Sequence, residues 1–415
     1  MVIPSYWARK SKDGVRAGDA VYDHPTPLDE DGTLLRALQS LDVLEDKDFQ
    51  VVVIAAATGG DIEDRVKEKV AGIIDEASWT VDVDIKLFAS SHLGEIYDLL
   101  RSEGIDEYVP LLQSRGMDEY VPLLQLRGYS NIRNLCLFIP HILGSDLAIL
   151  IDDDEVFEDT QFIGKTKEFI GSVVGDRTVH AVAGYYLQSD GDNSTRKKRS
   201  PWMEYWGQYK VMDEGFDRII WTGPRLKETP FVFGGNMVIH RELFTVVPFD
   251  PGVPRGEDID YLINARMFGF SFFLDNKLSI RHLPPSKSHP VWMQLREDIY
   301  RFIYERAKLE GQVVKEGMVR VAPEDLNPYP GRFLRSDLEE KVEGACRLLS
   351  EEYLEQGDTA GSEEALQNIE LARTDAVPVS NPFEDLCELQ KRWKGLMEFT
   401  AKEGVRSGFR EIIEG

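Results

Sequence analysis

A chain of 415 residues exceeds one ordinary domain, and two is the simplest division. With 42% hydrophobic and 10% aromatic residues it can bury a sizeable core, which excludes global disorder. A formal net charge of −25 makes nucleic acid a poor partner, because phosphate backbones are met by surplus Lys and Arg. An anionic small molecule would need local help from a metal ion, a few placed arginines or helix N-termini.

The first residues, MVIPSYW, predict a short strand ending at Pro4-Ser5, followed by a turn-rich stretch over 11–32. The start MVIPSYWARK lacks the basic leader and long apolar run of a signal peptide, and no later stretch reaches the roughly eighteen apolar residues of a membrane helix. A cytoplasmic location without a transmembrane segment is the expectation. Residues 32–41 carry a helical period, with Leu34, Leu35, Leu38 and Leu41 on one side. FQVVVIAAATGGD (49–61) is an apolar, β-branched run that enters a loop at Gly59-Gly60, as a buried strand does. Residues 62–77 predict an amphipathic helix, 81–89 a strand, 93–102 a helix, and 131–143 a helix broken near Pro140. LAILI (147–151) is the next central strand.

This alternation predicts an α/β fold with an open, mostly parallel sheet, whose ligands sit beyond the carboxyl ends of the strands. Two near-identical units, SEGIDEYVPLLQ (102–113) and SRGMDEYVPLLQ (114–125), mark a local duplication over 102–128, best taken as an enlarged surface hairpin. After residue 290 three helical periods follow, at 291–311, 338–356 and 383–404, joined by proline-bearing linkers. The expected division is 1–290 as the catalytic domain and 291–415 as a helical C-terminal domain, through which a homo-oligomer could form. Cys136, Cys346 and Cys387 lie in apolar patterns without metal or redox spacing, so buried reduced thiols are expected.

The chemistry concentrates at LAILIDDDEVFED (147–159), where five apolar residues run into three aspartates and Glu155 adds a fourth acid. A solvated loop or cap is the ordinary reading of an acid cluster. Four carboxylates at a buried strand end, however, repel one another and are costly to desolvate, and a divalent cation with oxygen ligands answers both. Asp-x-Asp after an apolar strand suits haloacid-dehalogenase-like phosphatases, whose pattern Asp152, Asp154 and Val156 fit, and equally suits glycosyltransferases that hold Mg²⁺ or Mn²⁺ against a diphosphate.

Downstream, 233–285 contains Gly234-Gly235-Asn236, Phe249-Asp250, Gly256-Glu257-Asp258-Ile259-Asp260-Tyr261, Gly269-Phe270 and His282, in that order. Upstream lie VIPSY and GYSNIRNLCLFIPHILGSDLAILIDDDE. This ordered set, over roughly residues 2–290, resembles the family-2-like nucleotide-sugar glycosyltransferases of the GT-A fold. The resemblance implies a Rossmann-like, mostly parallel sheet flanked by helices. It also implies transfer of a hexose from a UDP- or GDP-hexose to the hydroxyl of a small solute or saccharide. Asp154 is the implied first metal ligand, with Asp152 and His282 completing the set for Mg²⁺ or Mn²⁺. Donor contacts fall to Pro4, Ser5, Tyr6, Asp61, Arg133, Asp152, Asp153, Gly234, Gly235 and Asn236. Glycines at 234 and 235 let the backbone approach a sugar closely.

Asp258, with Glu257 as runner-up, is the candidate base for an inverting transfer, although acids after a helix N-cap are also simply favourable. Two departures from the family pattern bear on the donor: Trp7 follows the first-strand Pro-x-Tyr, and the second strand ends in AAATGGD. Acceptor candidates are Trp202, Trp206 and Trp221, as stacking faces, and Arg196 and Lys197 in the basic island STRKKRS. The competing expectations are a retaining synthase of a glycosylated solute such as a glycosylglycerate, a phosphatase, and a catalytically silent nucleotide-binding scaffold.

Overall fold

The computed structural model describes residues 1–16, 18–105, 123–188, 199–285 and 289–415. Its central sheet holds β1 (Val2–Ala8), β2 (Val51–Ala57), β3 (Ile85–Phe88), β4 (Leu147–Leu150), β5 (Ala181–Leu187), β6 (Leu226–Glu228), β7 (Met237–His240) and β8 (Phe272–His282). The order is β6-β8-β5-β7-β4-β1-β2-β3; β6 and β7 run against the other strands. The sheet is therefore mostly parallel, as the sequence rhythm predicts. Thr26–Pro27 pairs with β1 and Glu155–Val156 with the end of β8.

Period-two alternation builds two cores at once. Val2 and Tyr6 of β1 and Val52, Ile54 and Ala56 of β2 face one layer. Met1, Ile3 and Trp7, with Val51, Val53 and Ala55, face the other. The second layer is covered by α1 (Leu34–Ser40), α2 (Glu63–Ala77) and α5 (Phe162–Phe169). The first is covered by α3 (Ser90–Ser102), α4 (Tyr129–Leu143), α6 (Pro201–Trp206), α7 (Gln208–Ile219), α8 (Glu257–Met267) and the helices that follow residue 290. Those are α9 (Val291–Glu310), α10 (Leu338–Glu355), α11 (Thr359–Arg373), α12 (Pro382–Thr400) and α13 (Glu403–Glu414). They share one apolar cluster with α4, and Trp393 of α12 donates its indole N–H to the carbonyl of Phe244 at 2.8 Å. Among the described residues no helix is long and apolar enough to cross a membrane. All three cysteines are buried and free.

Three sequence expectations are corrected. The first strand does not end at Pro4-Ser5 but runs on to Ala8. The Met1 carbonyl accepts from Val52 of β2 and the Trp7 carbonyl from Thr58 just past it, whereas the Val2 carbonyl accepts from Ile151 beside β4. Pro4 thus faces the β4 side, past the point where Val2 pairs with the last residue of β4, and its missing N–H breaks no ladder bond. Helix α4 continues through Pro140. The proline sits in the last turn, and the Arg406 guanidinium donates to the carbonyls of His141 and Ile142, both at 2.9 Å, closing the helix end that the proline weakens. Finally, only Ile85–Phe88 of the expected strand 81–89 pairs in the sheet.

Helix α9 is pinned to α8 by a buried charge network. Lys308 is fully buried and its Nζ lies 2.7 Å from both Asp250 Oδ2 and Asp260 Oδ1. Burial opposes its charge, but the two carboxylates more than offset this and hold the ammonium protonated. One turn earlier, burial pushes the Glu305 carboxyl up to about 8, against the opposing pull of Arg301, whose Nε is 3.4 Å away. A carboxyl raised in the fold stabilises only while protonated, so its contribution is present below pH 4.5 and is lost as pH rises through about 8. Glu305→Gln mimics the protonated form. Thermal melts should show little change at pH 5 and a gain on the order of 2 kcal/mol at pH 9; a loss that grows with pH would show instead that Glu305 works as a buried anion.

Candidate active site

The carboxyl ends of β1, β4, β5 and β8, the amino end of the reversed β7, and the first turn of α8 border one cleft of about 760 Å³. Chain direction explains the convergence: a strand running against its neighbours brings its start, Gly234-Gly235, to the edge where the others end.

On one wall stand the acids after β4. Ser5 Oγ donates to Asp153 Oδ2 at 2.5 Å and itself accepts from Trp7 Nε1 at 2.8 Å. Burial, and then the neighbouring Asp154 charge, push the Asp153 carboxyl well up. Ser5 is fully buried, so it anchors the aspartate loop instead of facing a ligand. Asp152 Oδ1 lies 2.8 Å from Arg133 Nη2, and the Asp152 backbone N–H donates to Glu155 Oε2 at 3.0 Å. Burial raises both the Asp152 and the Glu155 carboxyls; Arg133 opposes the first, and Asp152 and Asp154 add to the second. Glu155 Oε1 is buried without a hydrogen-bond partner.

His282 arrives by strand pairing: it sits opposite Glu155 in register, and the Leu283 N–H donates to the Asp154 carbonyl at 2.9 Å. Its ring stacks on Tyr186, with centroids 4.7 Å apart, and its Nε2 lies 3.3 Å from Asp154 Oδ2. Among the described residues no three His, Cys, Asp or Glu side chains form a closed metal site. The pair nevertheless fits a divalent ion: two neighbouring donors each about 2.1 Å from one ion lie about 3 Å apart, close to the Asp154–His282 spacing. Such a site has two protein donors and leaves its other positions to ligand oxygens.

On the opposite wall α8 begins. Gly256 holds φ +74°, and a Cβ there would lie 1.8 Å from Arg301 Nη1. Gly256→Ala therefore meets both a backbone penalty and a clash with a buried guanidinium, and should destabilise by roughly 3 kcal/mol or more, read as a fall in Tm. Glu257 accepts from Arg133 Nε at 3.2 Å; burial pushes its carboxyl up to about 7, with Arg133 opposing. Asp258 Oδ1 accepts the Ile259 N–H at 2.8 Å. Its Oδ2 has no protein donor among the described residues and stands beside Gly234, where an added Cβ would come within 3.5 Å of it. Burial raises the Asp258 carboxyl, opposed by the Ile259 N–H and then by Arg301 and Arg133. Arg133, only 3% exposed, thus lies between the two walls, with Nη1 buried and unpartnered. Gly235 is needed for space: a Cβ would sit 2.1 Å from Glu155 Oε1 and 2.7 Å from Asp152 Oδ2.

Of the sequence-derived candidates, the cleft gathers Tyr6, Arg133, Asp152, Asp153, Asp154, Gly234, Glu257, Asp258, His282, Trp202 and Trp206. Others lie elsewhere. Pro4 is buried within β1. Asn236 is fully buried and donates to the carbonyls of Tyr185 and Leu278, so it stitches β5 to β8 and does not meet a sugar. Asp61 is paired with Arg9 and Arg16 outside the cleft lining. Trp221 is 55% exposed, against Tyr185. Arg196, Lys197 and most of the duplicated stretch lie outside the described residues.

Conversely, Tyr186, Arg255 and Arg301 line the cleft without having been singled out from sequence. Tyr186 Oη accepts the Gly235 N–H at 2.7 Å. Arg255 joins Asp23 at 3.1 Å to Asp298 of α9 at 3.2 Å. Its place directly before Gly256 was the one available signal; Arg301 looks like any polar position of a long helix.

No protein-family model and no curated protein matches the chain. Solved structures do. The mannosyltransferase PcManGT from Pyrobaculum calidifontis, in complex with GDP-Man and Mn²⁺, is 13% identical over 97% of this chain and 86% of its own, at a TM-score of 0.44. A mycobacterial protein is 16% identical over 73% and 71%, at 0.36. GalNAc-T7 with UDP, GalNAc and Mn²⁺ is 13% identical over 75% of this chain and 54% of that one, at 0.35. Overlaps this loose assign no reaction to this chain.

Proposed function

We propose that this protein is a metal-dependent glycosyltransferase that moves a hexose from a nucleoside diphosphate sugar to a hydroxyl acceptor. One observation carries the proposal. A carboxylate–imidazole pair suited to a divalent ion and an outward-facing aspartate at a helix start border one cleft, with a buried arginine between the two walls. Asp154 and His282, with Asp152 beside them, would hold Mg²⁺ or Mn²⁺, which when bound supplies positive charge to a departing diphosphate.

The chain's own groups do the rest. Arg133, fixed between Asp152 and Glu257, presents Nη1 as a preorganised donor for phosphate oxygens. Gly234 leaves room for the sugar against the backbone. Asp258 Oδ2 takes the proton of the acceptor hydroxyl as that oxygen bonds to the anomeric carbon. The bond from that carbon to the diphosphate breaks, its electron pair leaves with the diphosphate, and configuration inverts. Glu257 is the lesser base candidate, because its carboxyl is tied to Arg133.

The test is release of nucleoside diphosphate from UDP-, GDP- and ADP-sugars with Mn²⁺, Mg²⁺ or EDTA. Metal-dependent release from one donor is expected. Its absence together with phosphate release from simple phosphomonoesters would mark a phosphatase, and silence in both assays a scaffold. The first anomer released, followed by NMR, decides inversion against retention.

A further inference from the structure

A second cavity, of about 740 Å³, opens at the other edge of the sheet, around the turn that leads into β8, the segment before β5, and residues 319–328. In a chain of net charge −25 it is lined by four arginines, Arg177, Arg218, Arg266 and Arg320. Two are neutralised: Arg177 meets Glu228 at 2.6 Å, and Arg218 meets Glu214 at 2.6 Å. Two are not. Arg266, half-buried near the C-terminal end of α8, donates Nη2 to the Thr229 carbonyl at 2.7 Å and Nη1 to the Asp325 carbonyl at 3.2 Å. No carboxylate lies within ion-pair distance of it among the described residues. Arg320 is exposed and, among the described residues, is likewise in no ion pair.

Glu228 and Asp325 favour the Arg266 charge from a distance, but burial outweighs them and neither reaches ion-pair contact with it; Glu228 pairs with Arg177, and Asp325 Oδ2 accepts the Ala322 N–H at 2.9 Å. Asp176 is exposed at the rim. A half-buried guanidinium whose fork is fixed by two carbonyls and touches no carboxylate gains from an anion that completes it. A fixed fork also matches phosphate or carboxylate geometry better than a mobile lysine does. His180 also lines the cavity, its ring edge-on to Phe270 at 4.9 Å, with Nδ1 accepting the Ser271 N–H at 3.4 Å and Nε2 3.8 Å from Glu242 Oε2.

We infer that this cavity is a binding site for a small phosphate-bearing anion, held by Arg266 and Arg320 and separate from the catalytic cleft. The cavity leaves room for a small organic body beside the phosphate. Helix α8 spans the two sites, with Asp258 in its first turn and Arg266 near its end.

The test is isothermal titration of the full chain in EDTA with inorganic phosphate and with glucose 6-phosphate, a direct binding readout that does not depend on glycosyl transfer. Saturable binding of both is expected, tighter for the sugar phosphate; equal affinities would assign the site to free phosphate. Arg320→Ala, a surface change that leaves the fold intact, should weaken binding about tenfold, and Arg320→Lys should restore most of it. Arg266→Met should abolish it. Absence of binding at millimolar ligand, or binding unchanged by Arg320→Ala and Arg266→Met, overturns the inference.

Discussion

Asp258→Asn should lower turnover about a thousandfold while leaving the fold and donor affinity close to wild type. The substitution is nearly isosteric, and the amide oxygen can still accept the Ile259 N–H that Asp258 Oδ1 now accepts. What it removes is the Asp258 Oδ2 carboxylate oxygen, which has no protein donor among the described residues, and an amide cannot take up the acceptor's proton. Donor contacts assigned to Asp154, His282 and Arg133 are untouched, so the donor's Kd should stay within about threefold and Tm within about 2 °C. Glu257→Gln makes the contrast. Glu257 holds Arg133, and Arg133 reaches Asp152, so its loss should appear mainly in KM through a displaced guanidinium. A Asp258→Asn variant with full turnover would remove the proposed base, and one with no donor affinity would move Asp258 from proton transfer to sugar binding.

Much of this arrangement was legible in the chain because it rests on local signals. Apolar strands at 51–57 and 147–150 and the amphipathic helix 63–77 follow period-two or 3.6-residue patterns that burial demands anywhere. The aspartates stood out because four acids follow one buried strand, and Asp152, Asp153 and Asp154 do line the cleft. The path of β1 beyond Pro4 was not, since the cost of proline in a strand depends on which neighbour its nitrogen faces, and that is set by a strand that begins only at Leu147. The persistence of α4 through Pro140 was hidden in the same way, because Arg406, far along the chain, supplies the donors for its last carbonyls.

The roles within the cleft were less legible than its location. Asn236 looks like a sugar ligand beside two glycines, yet one residue of strand phase turns it into the core, where it holds the carbonyls of two strands. Ser5 is likewise turned inward and serves Asp153. Tyr186 offered no cue in AVAGYYL, because its partners, His282 of β8 and Gly235 in the turn before β7, come from distant parts of the chain. Sequence reasoning finds residues whose chemistry is odd for their place; it misses ordinary residues whose importance lies in what folding sets beside them.

Asp154→Ala should abolish metal-dependent donor turnover, by about a thousandfold or more, and yet raise the Tm of the metal-free protein above neutral pH. The first half follows from its place as the carboxylate 3.3 Å from His282 Nε2; among the described residues no three His, Cys, Asp or Glu side chains form a closed metal site, so its loss leaves the proposed site too few donors. His282→Ala, which leaves the carboxylate, should lower metal affinity about ten- to a hundredfold. The second half follows from repulsion. The Asp154 charge is among the causes that push up the carboxyls of Asp152, Asp153 and Glu155, after burial itself. Carboxyls raised in the fold cost stability as pH rises above the ordinary carboxylate range, so removing a neighbouring negative charge relieves part of that cost at pH 8 and little of it at pH 4. A gain on the order of 1 kcal/mol in EDTA is expected for partly screened like charges at this spacing. Saturating Mn²⁺ should invert the order, stabilising the wild type and leaving the variant unmoved. Melts of both proteins at pH 8, with EDTA and with Mn²⁺, decide the matter. A variant less stable than wild type in EDTA would show that Asp154 is a structural group whose charge the fold already satisfies, and the acid cluster would then need no ion to account for it.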